Sequence, residues 1–171
     1  CSDGTSVVLS TGLTGTPQAG GTWSGPSAVV GGNYDPATML AGVYTYTVTG
    51  TAPCANSTAT ATVTETVAAN AGTNGTLTVC SDGTSVVLST GLTGTPQAGG
   101  TWNGPSAVVG GNYEPVTMTA GVYTYTVTGA APCANSTATV TVTENAAPNA
   151  GTSGTLTLCS NSATVALSTG L

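Results

Sequence analysis

The chain has 171 residues and contains no lysine, arginine or histidine, against six aspartates and glutamates. It lacks the cations that neutralise phosphate or attract anionic lipid, so we expect no nucleic-acid binding. No run of about 18 apolar residues is present, and we expect no membrane insertion in this segment. The missing side chains also remove the usual catalytic base and the Schiff-base lysine, so we do not expect an enzyme.

A long internal repeat organises the sequence. The run that begins at Cys1 returns at Cys80 and, more loosely, at Cys159, which gives a period of 79 residues. The first two copies differ at 11 of these 79 positions. This period fits one small autonomous domain, since most solenoid units have about 20–50 residues. We predict a piece of a longer array that holds one repeat lacking its first strand, one complete repeat and one partial repeat. Their ranges are 1–67, 68–146 and 147–171.

Alternating apolar and polar residues predict short strands in the complete repeat. No window has the 3.6-residue spacing of an amphipathic helix, so we expect no helix. About seven short strands in a repeat of this length predict an all-β fold of the two-sheet β-sandwich type. In chain order, the predicted strands are 76–80, 85–89, one that opens at 99–102, one or two short strands within 104–115, then 121–128 and 137–143.

Two short segments join the repeats. Residues 65–72 connect the first copy to the second, and residues 144–151 connect the second to the third. The second segment contains Pro148, and neither is long enough to act as a flexible tether. Linkers of this length favour an extended chain of domains over free tumbling.

Aromatic residues are few and form the candidate core. In each copy, the two tyrosines of a Tyr-Thr-Tyr run should share one face of their strand, because side chains two residues apart point the same way. The tryptophans are expected to be the central packing residues. The alternative is that they form an exposed platform on which sugars stack. These residues are Trp23, Tyr44, Tyr46, Trp102, Tyr123 and Tyr125.

The five cysteines carry the clearest chemical signal. Cys1 and Cys54 are 53 residues apart, and so are Cys80 and Cys133. Equal spacing favours one bond within each repeat, Cys1–Cys54 and Cys80–Cys133, with Cys159 left over. Such a loop would stabilise the fold by roughly 4 kcal/mol in the chain-entropy treatment. A bond between Cys54 and Cys80, across the linker, stays open as the alternative.

Carboxylates give no catalytic pattern and only a thin metal signal. Asp35 is replaced by Glu114 in the second copy, a change that a carboxylate with exacting catalytic geometry would not tolerate. A calcium ion needs six to eight oxygens, several of them acidic. Glu65 and Asp82 are the nearest acidic candidates at a junction, and they make a weak calcium site. We otherwise expect no cofactor.

A tyrosine motif suggests a fold family. Residues 42–46 and 121–125 read Gly-Val-Tyr-Thr-Tyr, which resembles the sixth strand of immunoglobulin-like domains. In that family, the first tyrosine makes a corner hydrogen bond to the backbone upstream. The resemblance implies tandem immunoglobulin-like β-sandwich domains. Tyr46 and Tyr125 stand where an antibody domain has its second cysteine, so the usual inter-sheet disulfide is missing.

Longer motifs are similar to repeats of giant secreted proteins of Bacteroidetes, which resemble the SprB-type gliding-motility adhesins exported by the type IX system. The resemblance covers essentially the whole chain. It implies a very long surface-anchored filament outside the cell. The motifs that carry it are 70–80, 99–102, 120–127 and 131–133.

We therefore expect a structural stalk or filament segment of a large cell-surface adhesin, extending or displaying an adhesive tip. Its partners would be the neighbouring repeats, like chains in a fibre, and an external surface or polysaccharide. Two alternatives remain open. Each repeat could bind carbohydrate and act by avidity, or the array could be a non-catalytic spacer of a secreted hydrolase.

Overall fold

The structure, a computed structural model, describes residues 1–161 and 164, and within these residues the fold is all-β. Eleven strands form two larger sheets and two small ladders, and two 3₁₀ turns cover Leu9–Gly12 and Leu88–Gly91. No helix among the described residues is long or apolar enough to cross a membrane. The strands are β1 (Val7–Val8), β2 (Thr22–Ser24), β3 (Asn33–Tyr34), β4 (Gly42–Val48), β5 (Ser57–Val63), β6 (Gly75–Cys80), β7 (Val86–Val87), β8 (Thr101–Asn103), β9 (Asn112–Tyr113), β10 (Gly121–Val127) and β11 (Ser136–Asn145).

The complete repeat is built on a four-stranded sheet in the order β6-β11-β10-β8. Strands β10 and β11 form an antiparallel pair, and β8 pairs antiparallel with β10. Strand β6 runs parallel to β11, with Gly75 opposite Val140 and Cys80 opposite Asn145. The first and last strands of the repeat are therefore neighbours that point the same way.

One face of this sheet carries the core of the complete repeat. Tyr123, Tyr125 and Val127 of β10 are all buried, which confirms that this strand turns one face inward. The β7–β9 ladder and the second 3₁₀ turn cover that face, and they contribute Tyr113 and Leu88, both with no exposed surface. The core is thus formed between the main sheet and a short second layer.

The first repeat has the same elements apart from a counterpart of β6. Its sheet has the order β2-β4-β5, and its ladder pairs β1 with β3. No described strand pairs with the outer edge of β5, which corresponds to the β11 edge that β6 occupies. Its core is smaller, with Leu9, Tyr34 and Tyr44 as its buried members.

One expectation about the secondary structure needs correction. Each described repeat contains a 3₁₀ turn of four residues, although no helix was expected. The complete repeat has six strands, close to the expected number, and the predicted strand 85–89 shortens to β7 and continues as the 3₁₀ turn. The other strongly alternating segments form strands close to their predicted bounds. Within the predicted third repeat, 162–163 and 165–171 lie outside the described residues.

Candidate functional site

The junction between the two repeats is tied to the first repeat by two hydrogen bonds. The amide of Ser2 donates to the carbonyl oxygen of Thr66 at 2.9 Å, and the amide of Ala68 donates to Oγ of Ser2 at 3.0 Å. The same pair of bonds recurs one period later around Ser81, with Asn145 and Ala147 as the partners. The linker therefore leaves each repeat along a fixed path.

The same linker is also tied to the second repeat. The amide of Asn70 donates to Oε1 of Gln97 at 2.8 Å, and the amide of Gln97 donates back to the carbonyl oxygen of Asn70 at 2.8 Å. The amide of Ala71 donates to Oγ of Ser136 at 3.0 Å, and the Ala71 side chain is completely buried in the second core. Since both of its ends are bonded to a folded repeat, the linker fixes one repeat relative to the other.

A disulfide between Cys1 and Cys133 closes the junction covalently, with the two Cα atoms 5.1 Å apart. Cys1 belongs to the first repeat, and Cys133 lies in the loop between β10 and β11 of the second repeat. The sulfur of Cys133 is 3.3 Å from the carbonyl oxygen of Thr66, which places the bond directly beside the linker. Cys54, Cys80 and Cys159 are free thiols.

This pairing differs from the two intra-repeat bonds, Cys1–Cys54 and Cys80–Cys133, that equal spacing favoured. The parallel pairing of β6 with β11 gives the reason. Cys80 lies opposite Asn145, at the end of β11, whereas Cys133 precedes the start of that strand. Strand β11 has ten residues, so the two cysteines are about 30 Å apart. A disulfide needs Cα atoms within about 7 Å. The alternative bond Cys54–Cys80 is absent as well.

The disulfide lies beside a carboxylate, but the group does not make a metal site. Oδ1 of Asp3 is 2.7 Å from Sγ of Cys1, and Asp3 with the two bonded cysteines is the one cluster of three potential ligands found in the described part of the chain. Both sulfurs are consumed by the bond, which leaves one carboxylate as a donor. Glu65 and Asp82, the weak calcium candidates, belong to no such cluster among the described residues.

Glu65 has a structural partner instead. The hydroxyl of Tyr34 donates to Oε1 of Glu65 at 2.5 Å, and Tyr113 donates to Glu144 at 2.6 Å in the second repeat. Burial, followed by the hydrogen bond to the carboxylate, holds the pKa of Tyr34 and of Tyr113 well above the usual value of 10.0. Each pair connects the small ladder to the last strand of its repeat, within β11 for Glu144 and two residues beyond the end of β5 for Glu65. Neither tyrosine was predicted from the sequence, although an aromatic residue in an otherwise turn-rich segment of both copies was a signal.

The predicted corner tyrosines bond to the backbone upstream. Tyr44 donates to the carbonyl oxygen of Leu40 at 2.7 Å, and Tyr123 donates to that of Thr119 at 2.7 Å. The second tyrosine of each run does something different. The Tyr125 hydroxyl accepts the amide proton of Gly100 at 2.8 Å and donates to the carbonyl oxygen of Gln97 at 2.7 Å. These two hydrogen bonds hold the segment that precedes β8, residues 97–100, against β10.

The tryptophans are half-buried at the edge of the core, not at its centre. Trp23 packs on Tyr46 with ring centroids 5.0 Å apart, and Trp102 packs on Tyr125 at 4.9 Å. Each tryptophan lines a groove, of about 700 Å³ in the first repeat and about 670 Å³ in the second. No ionisable side chain other than a tyrosine lines either groove.

Glycine forms much of each groove, because the tyrosine ring requires a close approach. A Cβ on Gly100 would lie 2.5 Å from Cζ of Tyr125, so no other residue fits there without displacing the ring. Gly111, which has φ +78°, is next to the indole nitrogen of Trp102. The groove is thus a fixed feature of the fold, present at the same place in both repeats.

Comparisons with known proteins give no relative for this chain. No protein family, curated protein or solved structure matches it.

Proposed function

We propose that the chain is a stalk segment of a large cell-surface adhesin, in which tandem immunoglobulin-like modules hold an adhesive tip away from the cell. The observation that carries this proposal is the junction. The linker is hydrogen-bonded to both repeats, and Cys1–Cys133 joins them covalently. A spacer needs fixed joints, because reach then increases in proportion to the number of repeats.

Two features of the complete repeat support immunoglobulin-like modules. The first strand, β6, lies parallel beside the last strand, β11, and β11 pairs antiparallel with β10. Tyr123 makes the upstream backbone hydrogen bond that a tyrosine corner requires. The short β7–β9 ladder would then be the reduced second sheet of the sandwich.

An extracellular location is part of the same proposal. Disulfides persist in oxidising compartments, and the chain contains one between consecutive repeats. The similarity of its motifs to SprB-type repeats points to a gliding or attachment filament. The partners would be the neighbouring repeats, like chains in a fibre, and an external surface or polysaccharide.

Small-angle X-ray scattering on arrays of increasing length tests the stalk. Chains carrying two, three and four copies of residues 80–158 should increase in maximum dimension by a constant amount per copy. Fixed joints predict this constant increase in maximum dimension. Repeats that fold back on one another would instead stay compact, and their radius of gyration would increase only with about the 0.38 power of chain length. A compact trend of that kind would rule out a stalk.

Carbohydrate binding by the grooves is a second candidate, and the half-exposed tryptophans favour it. Trp23 and Trp102 occupy the same position in two grooves that lack charged side chains. An aromatic face in an uncharged groove fits a neutral sugar better than an ionic ligand. Two such sites in one chain would act by avidity.

Intrinsic fluorescence gives a direct test of the grooves, since Trp23 and Trp102 are the two tryptophans of the chain. Titration with a neutral oligosaccharide, such as cellohexaose or maltoheptaose, should change the tryptophan emission and saturate. The W23A and W102A variants should each retain one of the two sites. An emission spectrum that is unchanged at millimolar sugar would eliminate this candidate.

A further inference from the structure

The covalent topology of the disulfide sets it apart from a bond inside one domain. Cys1 and Cys133 are separated by 132 positions, so the bond encloses residues 2–132 in one closed loop. That loop contains the rest of the first repeat, the linker, and the second repeat as far as the turn after β10. Strand β11 and the residues after it lie outside.

The free cysteines of the second and first repeats have the same local geometry as the bonded pair. Cys80 and Cys1 begin equivalent turns in their repeats. The amide of Gly83 donates to the carbonyl oxygen of Cys80 at 2.9 Å, and the amide of Gly4 donates to that of Cys1 at 2.9 Å. Its thiol donates to Oδ1 of Asp82 at 2.8 Å, at the position that Asp3 occupies beside Cys1. Each repeat thus places one cysteine beside the end of its last strand, β5 for Cys1 and β11 for Cys80.

Cys54 corresponds in the same way to Cys133. The amide of Cys54 donates to the carbonyl oxygen of Thr51 at 2.9 Å, and the amide of Cys133 donates to that of Ala130 at 2.8 Å. Both residues therefore lie in equivalent turns, each just before the last strand of its repeat. Cys54 is exposed and thus accessible to a neighbouring repeat.

We propose that Cys1–Cys133 is one member of a regular series of bonds between consecutive repeats, and that such a bond carries tension past the residues that it encloses. The proposal rests on the proposed role as a stalk, since a stalk is loaded along its length. Cys80 takes the place of Cys1 in the next bond of the series, and Cys54 takes the place of Cys133 in the preceding bond.

The path of the tension follows from the bonding. A force applied at Cys1 and at the far end of the chain passes through the disulfide to Cys133 and then along β11. Residues 2–132 remain in a side loop that the force cannot extend while the bond is intact. Strand β11 is hydrogen-bonded on both sides, to β6 and to β10, so tension along its axis loads many hydrogen bonds at once.

Single-molecule force spectroscopy, with handles attached before Cys1 and after Leu171, tests the path of the tension. With the bond intact, only the 38 residues after Cys133 can extend, which is about 130 Å at roughly 3.5 Å per residue. The double variant C1S/C133S should release the further 131 residues of the loop, about 450 Å more.

The matched control is C54S/C80S, which removes the equivalent cysteines that are not bonded in this chain. It should keep the short extension of the natural chain. If C1S/C133S does not fold, the natural chain is compared before and after reduction by a phosphine, which supplies two electrons while water supplies the two protons for the two thiols. Full extension of the oxidised natural chain, or free thiols at Cys1 and Cys133 in peptide mapping, would overturn the proposal.

A lengthened chain tests the series. One further copy of residues 80–158, inserted after position 158, adds a loop cysteine 132 positions after Cys80. Oxidised glutathione is the oxidant, and it accepts two electrons and two protons from the thiol pair to give two molecules of reduced glutathione. Peptide mapping should then find Cys80 bonded to the added loop cysteine.

The outcomes separate this proposal from the stalk itself. A free Cys80 in the lengthened chain would contradict the series, even if scattering shows a linear increase in length. A compact scattering trend would contradict the stalk, even if the bond series forms. The bond mapping and the scattering trend are measured independently of each other.

Discussion

At the scale of single residues, the tyrosine–carboxylate pairs connect the two layers of each repeat. Tyr113 is completely buried, and its hydroxyl donates to Glu144 at 2.6 Å. No buried side-chain nitrogen or oxygen in the described part of the chain lacks a hydrogen-bond partner. With so few apolar side chains of any size, each repeat depends on tyrosines whose hydroxyls are all paired.

The Y113F substitution should destabilise the complete repeat by about 1–2 kcal/mol. It removes the donor and leaves the Glu144 carboxylate without this partner, while the ring stays in the core. Urea denaturation followed by circular dichroism measures the change in the free energy of unfolding. The T124S substitution on the same sheet is the control, and an equal loss there would argue against a specific role for the pair.

Alkaline pH should also weaken the fold through these tyrosines. Burial and then the carboxylate bond raise the pKa of Tyr34 and Tyr113 above the usual 10.0, so the protonated form is the one that the folded state stabilises. The stability that these protonated tyrosines contribute is fully present below about pH 10 and is lost as the pH rises further. Urea midpoints measured from pH 7 to about pH 11 should fall above pH 10, and less steeply in Y34F/Y113F. Parallel curves for the two proteins would refute this assignment.

At the scale of elements, strand formation depends on a partner more than on sequence. Residues 75–79 read Gly-Thr-Leu-Thr-Val and form β6 on β11, whereas 154–158 read Gly-Thr-Leu-Thr-Leu and form no strand. Leu77 packs against the core of the complete repeat, while Leu156 is 44% exposed. These almost identical segments thus differ in secondary structure. Among the described residues, only 75–79 lies beside the last strand of a repeat.

This pair of leucines gives a matched test. L77A should cost about 2–3 kcal/mol of unfolding free energy, since it removes a side chain that covers the core beside Val140 and Gly91. L156A should change it by at most about 0.5 kcal/mol, because Leu156 is 44% exposed and belongs to neither hydrophobic cluster of the described residues. Thermal or urea unfolding of both variants measures the difference, and equal effects would contradict the assigned packing.

At the scale of the whole molecule, the junction should hold the two repeats in one arrangement. Bonds from the linker to Ser2, Gln97 and Ser136 act together with the disulfide. The free thiols Cys54 and Cys80 offer natural labelling sites, one in each repeat. The relative position of the repeats is therefore measurable without introducing new cysteines.

Double electron–electron resonance between spin labels on Cys54 and Cys80, in a C159S background, should give a single narrow distance distribution. Removing the bond with C1S/C133S should broaden it, because the hydrogen bonds of the linker then hold the repeats alone. A natural chain with a distribution as broad as that of the variant would show that the disulfide does not restrain the junction.

The sequence by itself determined the features that depend on local pattern. The 79-residue period and the alternation along β10 and β11 predict the all-β fold and the longest strands, because side-chain alternation is a property of a single strand. The inward face of Tyr123 and Tyr125 followed from the same rule. Short elements such as β7 and β9 could not be bounded, since two residues carry no period.

The tertiary structure decided which cysteines meet and how far the tryptophans are buried. Equal spacing is compatible with a bond inside each repeat and with a bond between repeats. The parallel pairing of β6 with β11 separates Cys80 from Cys133 and leaves Cys133 beside the preceding repeat. Strand direction is a long-range property that alternation does not encode, because a strand has the same pattern whichever way its neighbour runs.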